Sequence, residues 1–180
     1  MPFSTAYSVA LTTDNASATQ QTFRFVFTAA NLSVSGNLVR LTFTPKTSGT
    51  ALVINACWIG NQGASAPNFD GAQVQVFFNG AAGATLTSGG AAVLSDPKSF
   101  NFNRAANFVV AIECDSNNRR FGDGNTGLQG YFKSETGTAG NTTVSGYTTD
   151  AAGRGGPLSK IEADVFSAYR PRVRNLIIRR

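Results

Sequence analysis

Histidine is missing from all 180 residues. That one absence excludes Ser-His-Asp and Cys-His hydrolases, His-ligated zinc and every imidazole acid or base. Charged residues are scarce at 14% of the chain, and 19 glycines stand among many Thr, Ser and Asn, so the Ala/Glu/Lys/Leu mixture of a helical bundle is lacking. Only two cysteines occur, Cys57 and Cys114, in separate apolar runs. This is far below the cysteine density of a secreted disulfide scaffold, and free, buried thiols are expected. No apolar run reaches the roughly 18 residues of a membrane span. The start MPFSTAYSVALTTD has no basic n-region, long apolar stretch or small-residue cleavage site, so the expectation is folding in a cytoplasm.

What is present is apolar and aromatic. The chain is 42% hydrophobic with 14 Phe, more than a solvated, disordered chain carries, and its length suits one domain rather than two with a linker. The net charge of +5 is concentrated at one end. Arg170, Arg172, Arg174, Arg179 and Arg180 supply five of the fifteen basic residues with no acid among them, leaving a neutral body. Val173, Leu176, Ile177 and Ile178 interleave with these arginines, so residues 170–180 read as an arm docked on protein in preference to nucleic acid or an anionic membrane.

Periodicity gives the fold class. Phe23, Phe25 and Phe27 alternate with Arg24 and Thr28; Val39, Leu41 and Phe43 with Arg40 and Thr42; Val74, Val76 and Phe78 with Gln73 and Gln75. Phe100 and Phe102, then Phe108, Val110, Ile112 and Cys114, then Ile161, Ala163 and Val165 repeat the pattern, each opposite one wet face that includes Lys160, Glu162 and Asp164. The run 51–60 (ALVINACWIG) is apolar on both sides and predicts a central strand covered on its second side by a tail or a neighbouring subunit. Turn signals such as Ser35-Gly36-Asn37, Asn79-Gly80 and Asp96-Pro97 separate the runs at intervals of roughly ten residues. The expectation is an all-β protein, an antiparallel jelly-roll-like sandwich over 22–169, with an approach segment 1–21 and the basic, apolar arm 170–180. The glycine-rich stretch 136–156 reads as a surface loop around one short strand at 143–147.

The loop 115–127 (DSNNRRFGDGNTG) is the richest in chemistry. Asp115, Asn117, Asn118, Asp123 and Asn125 offer oxygens, but Arg119 stands where a third calcium ligand would sit and no Glu closes the loop, so no metal or cofactor is assigned. Arg119, Arg120, Phe121, Asp123 and, further on, Tyr131 with its neighbour Phe132 combine aromatics with polar side chains, the usual equipment for stacking a sugar ring and bonding its hydroxyls. They are the candidate glycan-binding residues, weighed against ordinary core aromatics with a solvated rim. Glu113 and Asp115 share spacing with a glycosidase pair, yet any strand places residues i and i+2 alike, and no catalytic residue is assigned.

Residues 39–113 carry an Arg-x-x-Phe strand at Arg40 and Phe43, an apolar strand ending Ile59-Gly60, a Val-x-Phe-x-Gly hairpin from Val76 to Gly80, and Ser95-Asp96-Pro97 before Phe100 and Phe102. This stretch resembles the β-sandwich module placed before the catalytic domain of some SGNH/GDSL-type hydrolases, and similar modules in bacteriophage tail and virion proteins. The resemblance implies a jelly-roll accessory or adhesion module. The hydrolase's Gly-Asp-Ser block and its catalytic Asp and His are missing, so its activity is not carried over. The leading expectation is a non-enzymatic virion structural protein, a head decoration, fibre or tail appendage. It would assemble with other copies and other virion proteins through Arg170, Arg172, Val173, Arg174, Leu176, Ile177, Ile178, Arg179 and Arg180. A carbohydrate-binding adhesion module contacting a cell-surface glycan is the alternative, and a small hydrolase the third.

Overall fold

The computed structural model describes residues 2–122, 125–152 and 154–165. Their strands are β1 (Phe3–Ser8), β2 (Thr13–Asp14), β3 (Gln21–Phe27), β4 (Gly36–Phe43), β5 (Leu52–Asn61), β6 (Val74–Val76), β7 (Ala84–Leu86), β8 (Val93–Leu94), β9 (Lys98–Phe102), β10 (Phe108–Cys114), β11 (Arg120–Phe121), β12 (Leu128–Lys133), β13 (Thr148–Ala152) and β14 (Leu158–Asp164). Among the described residues the only helix is a 3-10 turn, Ala29–Asn31, and none is long and apolar enough to cross a membrane.

All pairings are antiparallel. One sheet runs β1-β14-β4, with β8 and β9 sharing the far edge of β4; the other runs β13-β12-β3-β10-β5, with β6 and β7 sharing the far edge of β5. Taking each shared edge as one interrupted strand, the pairs nest: β5 with β6/β7, β4 with β8/β9, β3 with β10, β1 with β14. This nesting is the jelly-roll winding of a doubled antiparallel ribbon around two sheets. The interruption between β8 and β9 falls at Asp96-Pro97, where proline cannot donate to the ladder, and Ser95 Oγ accepts the Leu41 N–H at 2.9 Å instead. β12 and β13 extend the second sheet past β3.

The inward residues expected from periodicity form the core. Phe25, Val39, Leu41, Phe43, Val76, Phe100, Val110 and Ile112 are all buried between the sheets, each large side chain contributing about 1.5–3 kcal/mol. Cys57 and Cys114 are free thiols in the same core, and burial pushes both thiols up from their ordinary range. In β5 the register against β10 slips, Glu113 facing Ala56 and Cys114 facing Ile54. The bulge lets Ile54 and Cys57 both point inward despite their odd separation.

Four sequence expectations change. Residues 3–8, read as approach segment, are a strand of the first sheet, paired with β14. The second side of β5 is covered by this chain's own loop after β12: Ala139 packs with Val109 and Ala111, and Gly140 lies so close to Trp58 that a Cβ there would stand 2.7 Å from the indole. The short strand expected at 143–147 is displaced to Thr148–Ala152, five residues later, and the stretch before it is tied down, Val144 N–H donating to Asn68 Oδ1 at 2.9 Å. Finally, the outward side of β3 is not wet, and on that of β14 Lys160 is partly open to solvent while Glu162 and Asp164 are buried. Arg24 is fully buried, and Asp164 is buried with Oδ1 accepting the Asn37 and Leu38 N–H groups at 2.8 and 2.6 Å.

Candidate functional site

Beside the first residue of β3 the sandwich is open on one side. The strap after β2 runs antiparallel to the segment before β11: Asn117 N–H donates to Ser17 O and Asn15 N–H to Arg119 O, at 2.9 and 2.8 Å. Asn15 Nδ2 adds a bond to Asn117 O at 3.0 Å. On the other side, β13 and the residues after it cross β12 at Gly130, where a Cβ would stand 2.3 Å from Arg154 O, so only glycine permits the passage. Between these walls lies a cavity of about 280 Å³ lined by Asn15, Gln21, Asn117, Arg119, Phe121, Phe132, Asp150 and Arg154.

Asp150 organises its charges. Its carboxylate accepts from Arg119 Nη2 at 2.7 Å and from Arg154 Nη1 at 3.4 Å. The Arg119 guanidinium lies 4.2 Å from the centre of the Phe23 ring and 5.4 Å from that of Phe121, while Arg154 lies 4.5 Å from Phe121. Burial lowers the Arg119 pKa and the bond to Asp150 opposes that shift; arginine stays protonated throughout.

The polar atoms are not all satisfied. Among the described residues six buried side-chain N or O atoms lack a hydrogen-bond partner, and four of them belong to cavity residues: Gln21 Oε1, Asn117 Oδ1, Arg119 Nε and Arg119 Nη1. A buried donor or acceptor without a partner costs about 1–3 kcal/mol. Four of these atoms thus gather around one cavity, beside the Phe121 and Phe132 rings.

Of the candidate glycan-binding residues, the fold brings Arg119 and Phe121 into this cavity. Arg120 points elsewhere, its Nε donating to Leu11 O at 2.8 Å and lying 3.8 Å from Asp14 Oδ1. Tyr131 stands opposite Arg24 in the register and packs on the far face of the sheet, with Val26, Phe69 and Ala139. Its neighbour Phe132 takes the cavity side. Asp123 and the arm residues Arg170 to Arg180 lie outside the described residues. Gln21, Asp150 and Arg154 were not singled out by sequence; Phe132 was named beside Tyr131, and a parity argument on β12 prefers it to Tyr131 only once the partner of β3 is known. Asn117, considered as a calcium oxygen, lines the cavity, while Asp115 caps a loop by accepting the Val53 N–H at 3.0 Å. Among the described residues no group of three or more His, Cys, Asp or Glu side chains converges on a possible metal position. Comparison with known proteins finds no family model and no curated protein that matches the chain.

Proposed function

We propose that the chain is a non-enzymatic recognition module that holds a saccharide in the cavity between the strap and β13, and that it serves as a component of a bacteriophage virion. The observation that carries the saccharide reading is the gathering of two orphaned donors and two orphaned acceptors beside the Phe121 and Phe132 rings. Sugar hydroxyls donate and accept together, and the C–H face of a sugar ring covers aromatic carbon. Isothermal titration of the full chain against a panel of simple glycosides tests it. Binding is expected in the millimolar range, with Arg119→Met weakening it at least about tenfold, or about 1.4 kcal/mol. A panel in which nothing binds removes the reading.

The virion role is supported by the resemblance of residues 39–113 and by the composition of 170–180, where five arginines and four aliphatic residues occur without an acid. A segment of that composition can reach a partner through carboxylate contacts and buried apolar area. The full chain is expected to form an oligomer by light scattering, and deleting residues 171–180 is expected to leave the circular dichroism unchanged and to eliminate that oligomer. Assembly that proceeds normally after the deletion removes the arm from the reading.

A further inference from the structure

The chemistry and shape of the cavity specify more than a saccharide. We infer that it is an end-on site for a single neutral sugar ring, not a groove for the interior of a chain and not an anion pocket; this rests on the saccharide reading above.

The unsatisfied atoms carry the first half. Arg119 Nε and Nη1 are donors and need acceptors; Gln21 Oε1 and Asn117 Oδ1 are acceptors and need donors. A phosphate or a carboxylate can satisfy only the arginine, and would set its own oxygens against two carbonyl oxygens. A cation would fail in the opposite way against Arg119. A hydroxyl bonds to both kinds, so a ligand that carries several hydroxyls offers partners to donors and acceptors alike. Asp150 strengthens the point, because its carboxylate already takes Nη2 of Arg119 at 2.7 Å, leaving the remaining N–H groups to be met singly.

The walls carry the second half. The lining comes from the strap (Asn15), the start of β3 (Gln21), the segment before β11 (Asn117, Arg119), β12 (Phe132) and the chain that crosses Gly130 (Asp150, Arg154), so segments far apart in sequence converge on the cavity. Its volume of about 280 Å³ falls just under the lower end of the roughly 300–1,000 Å³ that ligand pockets span. There is room for one ring with its substituents; a second ring would lie outside, against solvent.

Titration of the full chain separates the alternatives. The probes are methyl glycosides of glucose, galactose, mannose, rhamnose and N-acetylglucosamine, the matching uronates, inorganic phosphate, and linear tetramers of whichever neutral sugar binds. The expected result is binding of a neutral monosaccharide, a tetramer no more than about threefold tighter, and no binding of phosphate. Gln21→Met, which removes one orphaned acceptor at nearly constant volume, is expected to weaken the monosaccharide about tenfold without lowering the melting temperature. A tetramer tenfold or more tighter than its monomer overturns the end-on geometry, and a preferred uronate or phosphate overturns the neutral ligand, each leaving the cavity a binding site. Failure of every sugar up to about 50 mM overturns the saccharide reading itself. Binding untouched by both Gln21→Met and Arg119→Lys places the ligand elsewhere on the molecule.

Discussion

Two buried arginines lie on opposite faces of the larger sheet and are treated in opposite ways. Arg24 is fully buried, with Nη1 donating to Pro67 O at 3.0 Å and Nη2 to Thr138 O and Ala139 O at 3.1 and 3.2 Å, as well as to Asn141 O. The Phe69 ring lies 4.6 Å away, and the nearest oxygens are main-chain carbonyls of two loops. Arg119, 5% exposed, has one carboxylate and two nitrogens with nothing to bond. The first guanidinium spends both Nη groups on holding loops against the sheet and leaves only Nε without a partner. The second keeps donors in reserve inside a cavity. Burial alone therefore does not distinguish an anchoring arginine from a binding one; the count of satisfied donors does.

The comparison breaks if the two substitutions behave alike. Arg24→Met leaves four carbonyls without their donor, and it also loosens the loop that covers Trp58 and the outer side of β5. Urea denaturation is expected to show a loss of about 3 kcal/mol or more, since each buried carbonyl left unpaired costs about 1–3 kcal/mol. Arg119→Met is expected to cost less, about 1–3 kcal/mol, because Asp150 keeps Arg154 at 3.4 Å and two unsatisfied N–H groups leave with the side chain. Saccharide binding should respond in the reverse order, surviving in Arg24→Met at temperatures where that variant is folded and disappearing in Arg119→Met.

The inward face was legible from the sequence because a period of two commits every second residue once one side is buried. Phe25→Ala should accordingly cost about 3–5 kcal/mol, and Arg40→Ala, on the outer side of β4, under about 1. The outward face was not legible. Arg24 and Asp164 look like solvated polar positions in their strands, and what meets them comes from elsewhere in the chain: a loop more than a hundred residues away for Arg24, the first residues of β4 for Asp164. The site was half legible for the same reason. Arg119 and Phe121 belong to one local motif, whereas Gln21, Phe132, Asp150 and Arg154 arrive through the pairing of β12 and β13 onto β3, a long-range register that no local pattern encodes.

Glu162 offers a third buried charge to set beside these two, this time with its partners complete. Its carboxylate accepts from Arg40 Nε at 3.0 Å and Lys160 Nζ at 3.2 Å on the outer side of the first sheet. Burial pushes the carboxyl up, but the two hydrogen bonds more than reverse this and hold it below the ordinary glutamate range. A carboxyl lowered in the folded state contributes stability that is present above its unfolded value of about 4.3 and is lost as pH falls through the folded value. Denaturation midpoints are expected to decline on acidification below about pH 4.3, with a smaller share of that decline in Glu162→Gln. An identical pH profile in the variant would show that the pair contributes nothing beyond packing.

The smallest expected effect is the sharpest test of what the orphaned atoms are for. An acceptor that serves folding is bonded in the folded chain, and its removal exposes a loss of about 0.5–1.5 kcal/mol. Asn117 Oδ1 and Gln21 Oε1 have no such bond, while the backbone of Asn117 keeps its own contacts to Ser17 and Asn15 whatever the side chain. Asn117→Ala and Gln21→Met are therefore expected to change stability by less than about 0.5 kcal/mol in either direction, or to raise it, because an uncompensated buried acceptor is removed. Ser95→Ala is the control, since its hydroxyl replaces a ladder bond at Leu41 and its loss should register. Equal destabilisation of all three variants would mean that the cavity atoms find partners inside the protein, and the contrast between the anchoring and the binding arginine would lose its physical basis.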